Sequence, residues 1–126
     1  MNIQNDVNVF MEAADQCVTT TPQKTFDPTD PQTNLYMKLV QEEFDETLDA
    51  FIKGDTIEVA DGIADMVWVL MGLASSVGIP FEQVWDEVKA SNMSKVVDGK
   101  LMKREDGKVM KPEGYFRPDI NAVLFW

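Results

Sequence analysis

Six carboxylates occur in two groups near the middle of the chain, and their spacing is the strongest chemical signal in the sequence. On helices of 3.6 residues per turn, each group falls on one side. Like charges so placed destabilise a helix, and burying them costs far more unless a cation compensates. We therefore expect a site for Mg²⁺, with Mn²⁺ as a substitute. The groups are Glu42, Glu43 and Glu46, then Glu58, Asp61 and Asp65.

Composition limits the alternatives to this chemistry. The 126 residues include no histidine and one cysteine, so Ser-His-Asp and Cys-His sites and an intramolecular disulfide are excluded. The net charge of −11 repels phosphate backbones, so we expect no nucleic-acid partner. Solubility alone would also account for most of these acids. With no signal peptide and no apolar stretch long enough to span a bilayer, we expect a cytoplasmic protein without a membrane partner.

The elements that must position the acids are predicted to be helices. An apolar stripe over residues 3–17 predicts the first helix, and prolines and threonines mark residues 19–32 as a loop. The second helix is predicted from about Thr33 to Lys53, the third from Thr56 to Val77, and the fourth from Pro80 to about Asn92. Gly54-Asp55 would place the two acidic helices antiparallel. The third helix is apolar around most of its circumference, so we expect it to be central and buried.

The spacing of apolar side chains predicts which of them lie in the core. On the second helix these are Tyr36, Val40, Phe44, Leu48, Phe51 and Ile52. For Trp68, Trp85, Tyr36 and Phe10, core packing is favoured over base stacking. Cys17 is most simply a small buried apolar group.

The C-terminal part changes character after the fourth helix. Asp98-Gly99 and Asp106-Gly107 are turn dipeptides with alternating flanks, so residues 96–111 are predicted to contain a short hairpin. Pro112, Gly114 and Pro118 predict an irregular, arm-like extension. The fold class is therefore all-α. A single domain over residues 1–126 would have a four-helix core at about 2–95, then a short C-terminal β-hairpin and extended tail at 96–126.

The acidic motifs resemble those of the MazG-like all-α nucleoside triphosphate pyrophosphohydrolase superfamily. Its signature is Glu-Glu-x-x-Glu on one helix and Glu-x-x-Asp on the next. Residues 42–46 match the first half, and Glu58-Val-Ala-Asp61 matches the second by spelling. In another alignment Asp65 is the signature aspartate and Gly62 stands in the glutamate's place, so either Glu58 or Asp61 is the further ligand. Residues 91–95 resemble the family's Asn-x-x-Lys element, and residues 104–111 resemble its basic hairpin.

The resemblance implies Mg²⁺-dependent hydrolysis of an NTP or dNTP to the monophosphate and pyrophosphate, by a homodimer or homotetramer. Glu42, Glu46, Asp65 and Asp61 would hold the ions, while Glu43 or a neighbouring glutamate such as Glu46 would orient or deprotonate the attacking water. Members that convert phosphoribosyl-ATP rely on histidine, which argues against that role here. One alternative is a non-catalytic helical nucleotide-binding or regulatory module, because Gly62 replaces a signature glutamate in one alignment. Another alternative is a structural helical oligomer.

Four further residues are candidates for substrate binding. Lys95 would pair with a phosphate, although a lysine near a helix C-terminus is favourable without any ligand. Asn92 would contact a base or a phosphate, and a helix-ending asparagine is equally plausible. Lys111 belongs to a run of basic residues in an otherwise acidic chain. Gln16 is a weaker candidate for base recognition.

Overall fold

The computed structural model describes all 126 residues and confirms the all-α class with one small antiparallel ribbon. Residues Met1–Pro80 and Phe81–Trp126 form two compact units, and the assignment of a single domain stays a prediction. The first unit contains α1 (Ile3–Ala13), α2 (Pro31–Ile52) and α3 (Thr56–Val77). The second contains α4 (Phe81–Met93), β1 (Val96–Val97), β2 (Lys100–Leu101) and α5 (Ile120–Phe125).

The ends of the acidic helices follow from their capping residues. The Asp30 carboxylate accepts a hydrogen bond from the Thr33 backbone N–H, and Pro31 occupies the first turn of α2. Asp55 caps α3 in the same way, and Gly78 ends it with a left-handed φ of 78°. The predicted bounds of α3 are confirmed. The expectation that α1 reaches residue 17 was wrong, because the helix ends at Ala13 and Asp15 adopts a φ of 57°.

Two glycines on α3 allow it to pack closely against α2. A Cβ atom at Gly62 would lie 2.1 Å from Thr47 Oγ1, and one at Gly72 would lie 2.1 Å from Tyr36 Cε1. Tyr36 is almost fully buried by this contact, so its predicted place in the core is confirmed. The glycines therefore set the distance between the two acidic helices.

The loop after α1 is fastened to the end of α3 by polar contacts. The Gln32 side-chain amide donates to Cys17 O and to Ser76 Oγ, both at 2.8 Å, and its oxygen accepts from Cys17 N at 2.9 Å. Thr19 N donates to Ser75 O at 2.8 Å. The Thr19 bond satisfies a carbonyl of the last turn of α3, which has no partner within the helix. The Cys17 side chain itself is exposed, so its expected burial was wrong.

Many apolar side chains assigned to the core are exposed in the single chain. Four on α2, namely Phe44, Leu48, Phe51 and Ile52, are between 45% and 73% exposed, and the expectation that they form the core face was wrong for this chain alone. The same correction applies to Phe10, Trp68 and Trp85. On α3 the buried residues concentrate in the C-terminal half, so the expected burial of the whole helix is also wrong. No single helix is long and apolar enough to cross a membrane; only α3 and α4 counted together meet those criteria.

The second unit contains the predicted hairpin. Strand β1 pairs with β2 through Val96–Leu101 and Val97–Lys100, and the turn residues Asp98 and Gly99 have φ values of 52° and 74°. Positive φ at both positions is the geometry that tight hairpins require. The extension after the hairpin is more regular than expected, because Asp119 caps the short helix α5.

Candidate active site

Glu43, on α2, is a half-buried acid of the first unit. Its Oε2 atom is buried and has no hydrogen-bond partner. Asp65, on α3, is half-buried, whereas Glu42, Glu46 and Asp61 are exposed. An unpaired buried carboxylate oxygen is costly, because it has lost its hydration without gaining a donor.

The electrostatics of Glu43 show which acids the fold brings together. Burial raises the pKa of Glu43 above its usual 4.5, and the negative charges of Asp65, Glu46, Asp61 and Glu42 raise it further, in that order. Burial also raises the pKa of Asp65, followed by the charge of Asp61 and a hydrogen bond with that carboxyl. Four of the other five predicted acids are therefore close enough to interact electrostatically with Glu43, and the five together are called here the Glu43 cluster: Glu42, Glu43, Glu46, Asp61 and Asp65.

The sixth acid, Glu58, lies at the end of the helix pair, next to the turn that joins α2 to α3. It lines a cavity of about 340 Å³ together with Glu46, Asp49, Ala50, Lys53 and Asp55. The only cation in this lining, Lys53, is paired with Asp49 at 2.7 Å. Asp61 contributes to the Glu43 cluster and Glu58 lines the cavity, while Glu46 belongs to both. Which of Glu58 and Asp61 is a metal ligand stays a prediction.

One alignment of the family signature has a glutamate at position 62, where this chain has Gly62. The close packing of α3 against α2 at this position explains the glycine. The added Cβ would meet Thr47 Oγ1 at 2.1 Å and Thr47 Cβ at 3.0 Å, so a larger side chain would force the helices apart. Thr47 Oγ1 also donates to the Glu43 carbonyl at 2.7 Å, which holds the threonine in this contact. Gly62 therefore serves the packing that buries Glu43.

The Glu43 cluster has the chemistry of a hard-cation site. Every donor is a carboxylate oxygen, as Mg²⁺ and Mn²⁺ prefer, and the partnerless Glu43 oxygen is directed at no protein donor. As placed, no three acidic side chains are grouped closely enough to hold one ion. The type of donor atom therefore fits a hard cation, while the side chains as placed do not form a complete site, and a metal here stays a proposal.

Gln16 lies in the same unit and is held by Tyr36. The Tyr36 hydroxyl donates to Gln16 Oε1 at 2.5 Å, and the Gln16 backbone N–H donates to Met11 O at 2.9 Å. Burial raises the pKa of Tyr36, so its hydroxyl stays a hydrogen-bond donor at neutral pH. This pair fixes the orientation of the Gln16 amide, and its role in base recognition stays a prediction.

The other three predicted substrate residues meet in the second unit. The Lys95 ammonium lies 5.7 Å and the Lys111 ammonium 5.1 Å from the centre of the Tyr115 ring. Lys95 Nζ also donates to Asn92 Oδ1 at 3.2 Å. Tyr115 was missed by sequence reasoning. Its position among prolines and glycines gave no helical or strand period to connect it with Lys95.

Comparison with known families agrees with this geometry. Residues 7–92 match the profile of the phosphoribosyl-ATP pyrophosphohydrolase family, and the chain belongs to that family. The family is part of the MazG-like all-α NTP pyrophosphohydrolase superfamily, and the helical fold is consistent with it. Membership implies a pyrophosphohydrolase, a hydrolase of acid anhydrides. No individual curated protein matches the chain. The match includes all six acids and Asn92 and ends before Lys95, Lys111 and Tyr115.

Proposed function

We propose that this protein hydrolyses a nucleoside or deoxynucleoside triphosphate to the monophosphate and pyrophosphate in the presence of Mg²⁺. The observation that carries the proposal is the partnerless Glu43 oxygen, buried between α2 and α3 and facing four further carboxylates. Such a concentration of negative charge is costly for folding and becomes favourable once divalent cations bind. The same cations would offset the repulsion between an acidic protein and a triphosphate.

The cluster divides into groups with different tasks. Glu42, Glu46, Asp61 and Asp65 would hold the ions, which supply charge neutralisation and a more acidic bound water. Glu43 is suited to accept the proton of the attacking water, because its raised pKa brings it closer to the operating pH than an ordinary glutamate. Its burial between the helices also fixes the position of the accepting carboxylate.

The identity of the nucleotide substrate is inferred from the family match and from the composition of the chain. The matched family takes its name from phosphoribosyl-ATP, a triphosphate nucleotide derivative. The present chain has no histidine, and the resemblance assigns histidine to the conversion of that compound. An NTP or dNTP is therefore the favoured substrate, and phosphoribosyl-ATP belongs in the substrate panel as the direct competitor.

The enzymatic test is pyrophosphate release from a panel of canonical and modified nucleotides with Mg²⁺ or Mn²⁺. We expect turnover of at least one nucleotide and its loss in Asp65→Asn and Glu46→Gln. Glu12→Gln is the matched control, because it removes one exposed acid from α1, outside the cluster. Absence of turnover across the panel would reject the proposal. Tight Mg²⁺–nucleotide binding in that case would favour the non-catalytic module.

We also propose a homodimer or homotetramer, with the apolar face of α2 as the contact surface. Phe51 and Ile52 are 70% and 73% exposed, beside the exposed Phe44 and Leu48. A contiguous apolar surface of this kind is uncommon on a monomer and typical of a subunit interface. Sedimentation of the wild type should show an oligomer, and Phe51→Gln with Ile52→Gln should shift it towards the monomer. Lys38→Gln, an exposed change on the same helix, is the control. A monomeric wild type would refute this assembly.

A further inference from the structure

The sequence contains three Asp-Gly dipeptides, and the fold places each of them in a different setting. Asp61-Gly62 lies inside α3, Asp98-Gly99 forms the turn between β1 and β2, and Asp106-Gly107 lies in the next turn of the chain. In such a dipeptide the glycine nitrogen can attack the preceding side-chain carboxyl group, because glycine has no Cβ atom to obstruct the approach. The same chemistry is therefore restrained to a different degree at each position.

The turn at Asp106 engages both reacting groups in hydrogen bonds. The Asp106 carboxylate accepts from Lys108 N at 3.0 Å and from Arg104 Nη2 at 2.7 Å. The Lys108 bond, followed by the Arg104 bond, lowers the pKa of Asp106 and so disfavours the protonated carboxyl group that cyclises. The Gly107 N–H donates to Arg104 O at 2.9 Å. Cyclisation at this turn has to break these bonds first.

The backbone of α3 restrains Asp61-Gly62. Both residues lie inside the helix, whose intrahelical hydrogen bonds engage the Gly62 N–H. Gly62 is also buried against Thr47 of α2. The helix would have to unwind before the Gly62 nitrogen could reach the Asp61 carboxyl group.

Asp98 and Gly99 have neither kind of restraint. The Asp98 carboxylate is exposed and forms no hydrogen bond or ion pair, and the Gly99 N–H donates to no backbone carbonyl. Asp98 has a φ of 52°, in a region that residues other than glycine seldom adopt. The hairpin is closed by the pairs Val96–Leu101 and Val97–Lys100. So short a hairpin is marginally stable, and its turn opens readily.

We propose that Asp98 is a site of spontaneous backbone isomerisation. The Gly99 nitrogen bonds to Asp98 Cγ, the carboxyl hydroxyl leaves with the nitrogen's proton as water, and a succinimide ring forms. Water then adds to either ring carbonyl. Opening at Cγ restores aspartate, whereas opening at the backbone carbonyl gives isoaspartate, in which the chain runs through the side chain. The isoaspartyl backbone is longer by one atom, so the Val97–Lys100 pair loses its register.

The test is incubation of the full chain at neutral pH in water enriched in heavy oxygen, followed by tryptic peptide mapping in ordinary water. EDTA is present, because the reaction needs no metal and is independent of the proposed activity. Each passage through the succinimide puts one heavy oxygen into a carboxyl group, and trypsin separates the two turns into residues 96–100 and 105–108. A second peptide of the same mass with a different retention time identifies isoaspartate.

We expect Asp98 to be labelled about tenfold faster than Asp106, because the charge-assisted hydrogen bonds of Asp106 must break first. Asp61 should be labelled no faster than Asp106. In urea the native bonds are absent, so the rates at the three positions should converge. Equal rates in the folded protein, no label at Asp98, or a difference between Asp98 and Asp106 that persists undiminished in urea would overturn the proposal.

Three variants test the assignment of the restraint. Arg104→Gln removes a bond to Asp106 and should raise the labelling of Asp106 several-fold without changing that of Asp98. Lys103→Gln, an exposed neighbour with no bond to Asp106, is the matched control and should change neither rate. Asp98→Glu should abolish labelling of residues 96–100, because a glutamate has to close a larger ring. An unchanged Asp106 rate in Arg104→Gln, or label that persists in Asp98→Glu, would reject the assignment.

Discussion

Replacing Glu43 by glutamine should stabilise the metal-free protein while removing its activity. The substitution keeps the side-chain shape, removes one buried negative charge and supplies amide donors to the surrounding carboxylates. Four acids face Glu43, and partly screened like-charge pairs cost a few tenths of a kcal/mol each, so the expected gain is about 1 kcal/mol. For a chain of this size, that gain corresponds to a rise in melting temperature of roughly 3–6 °C.

The assay is thermal or urea unfolding in EDTA across a pH series, followed by circular dichroism. The pKa of Glu43 is higher in the folded protein than its usual 4.5, so folding takes up a proton between the two values. The stability of the wild type should therefore fall as pH rises through the raised pKa, and the advantage of Glu43→Gln should appear above it and vanish below it. Glu12→Gln, an exposed loss of the same charge, is the control.

In the presence of Mg²⁺, we expect the wild type to have a higher melting temperature than Glu43→Gln, the reverse of the order in EDTA. Ligands that bind only the folded state stabilise it, so Mg²⁺ should raise the melting temperature of the wild type more than that of Glu43→Gln. A variant that is less stable than the wild type at neutral pH in EDTA would refute the reasoning, because the Glu43 carboxylate would then be a stabilising group. Equal stabilisation of both proteins by Mg²⁺ would show that the charge of Glu43 does not contribute to ion binding by the neighbouring acids.

Two further substitutions test the contact between α2 and α3 and the attachment of the loop that follows α1. Gly72→Ala should lower the free energy of unfolding by about 1–3 kcal/mol in urea, because the new Cβ would lie 2.1 Å from Tyr36 Cε1. Gly114→Ala is the control and should be nearly neutral, because no atom lies within 4 Å of its Cβ. Equal effects of the two substitutions would contradict the close contact at Gly72. Gln32→Ala should cost about 1–3 kcal/mol, because it removes three hydrogen bonds to Cys17 and Ser76. An unchanged urea midpoint would show that these bonds do not hold the loop.

The helices and the hairpin were predictable because their signals are local. Asp55 and Gly78 mark both ends of α3 by capping chemistry, and Asp98-Gly99 specifies a tight turn. The end of α1 was missed because apolar spacing continues to Cys17 while the backbone turns at Asp15. The helix α5 was missed because Pro118 and the glycines upstream suggested irregular chain, although Asp119 is an effective cap.

The candidate site was only partly predictable, since spacing places residues on a helix face without saying which face meets a neighbour. The grouping of Glu43 with Asp65 follows from two antiparallel acidic helices and could be anticipated. Glu58 falls outside the Glu43 cluster because it lies one turn nearer the start of α3 than Asp61, where it lines the cavity beside the turn. The approach of Lys95 and Lys111 to Tyr115 depends on the path of the tail and has no periodic signal.

The choice of face on α2 explains both the exposed apolar residues and the burial of Glu43. A row of α2 residues that are buried or contact α3 consists of Tyr36, Glu43, Thr47 and Ala50, at steps of seven, four and three. This row is polar or small, and the larger apolar residues lie on a neighbouring face that the single chain leaves exposed. The helices can approach closely because Gly62 and Gly72 of α3 lie against Thr47 and Tyr36 of this row. The same row carries a carboxylate with a buried oxygen in a position where stability alone would favour an apolar residue. Both proposals therefore follow from the face of α2 that packs against α3. The proposed cation would compensate the charge of the buried acid, and the proposed second subunit would cover the exposed apolar face of α2.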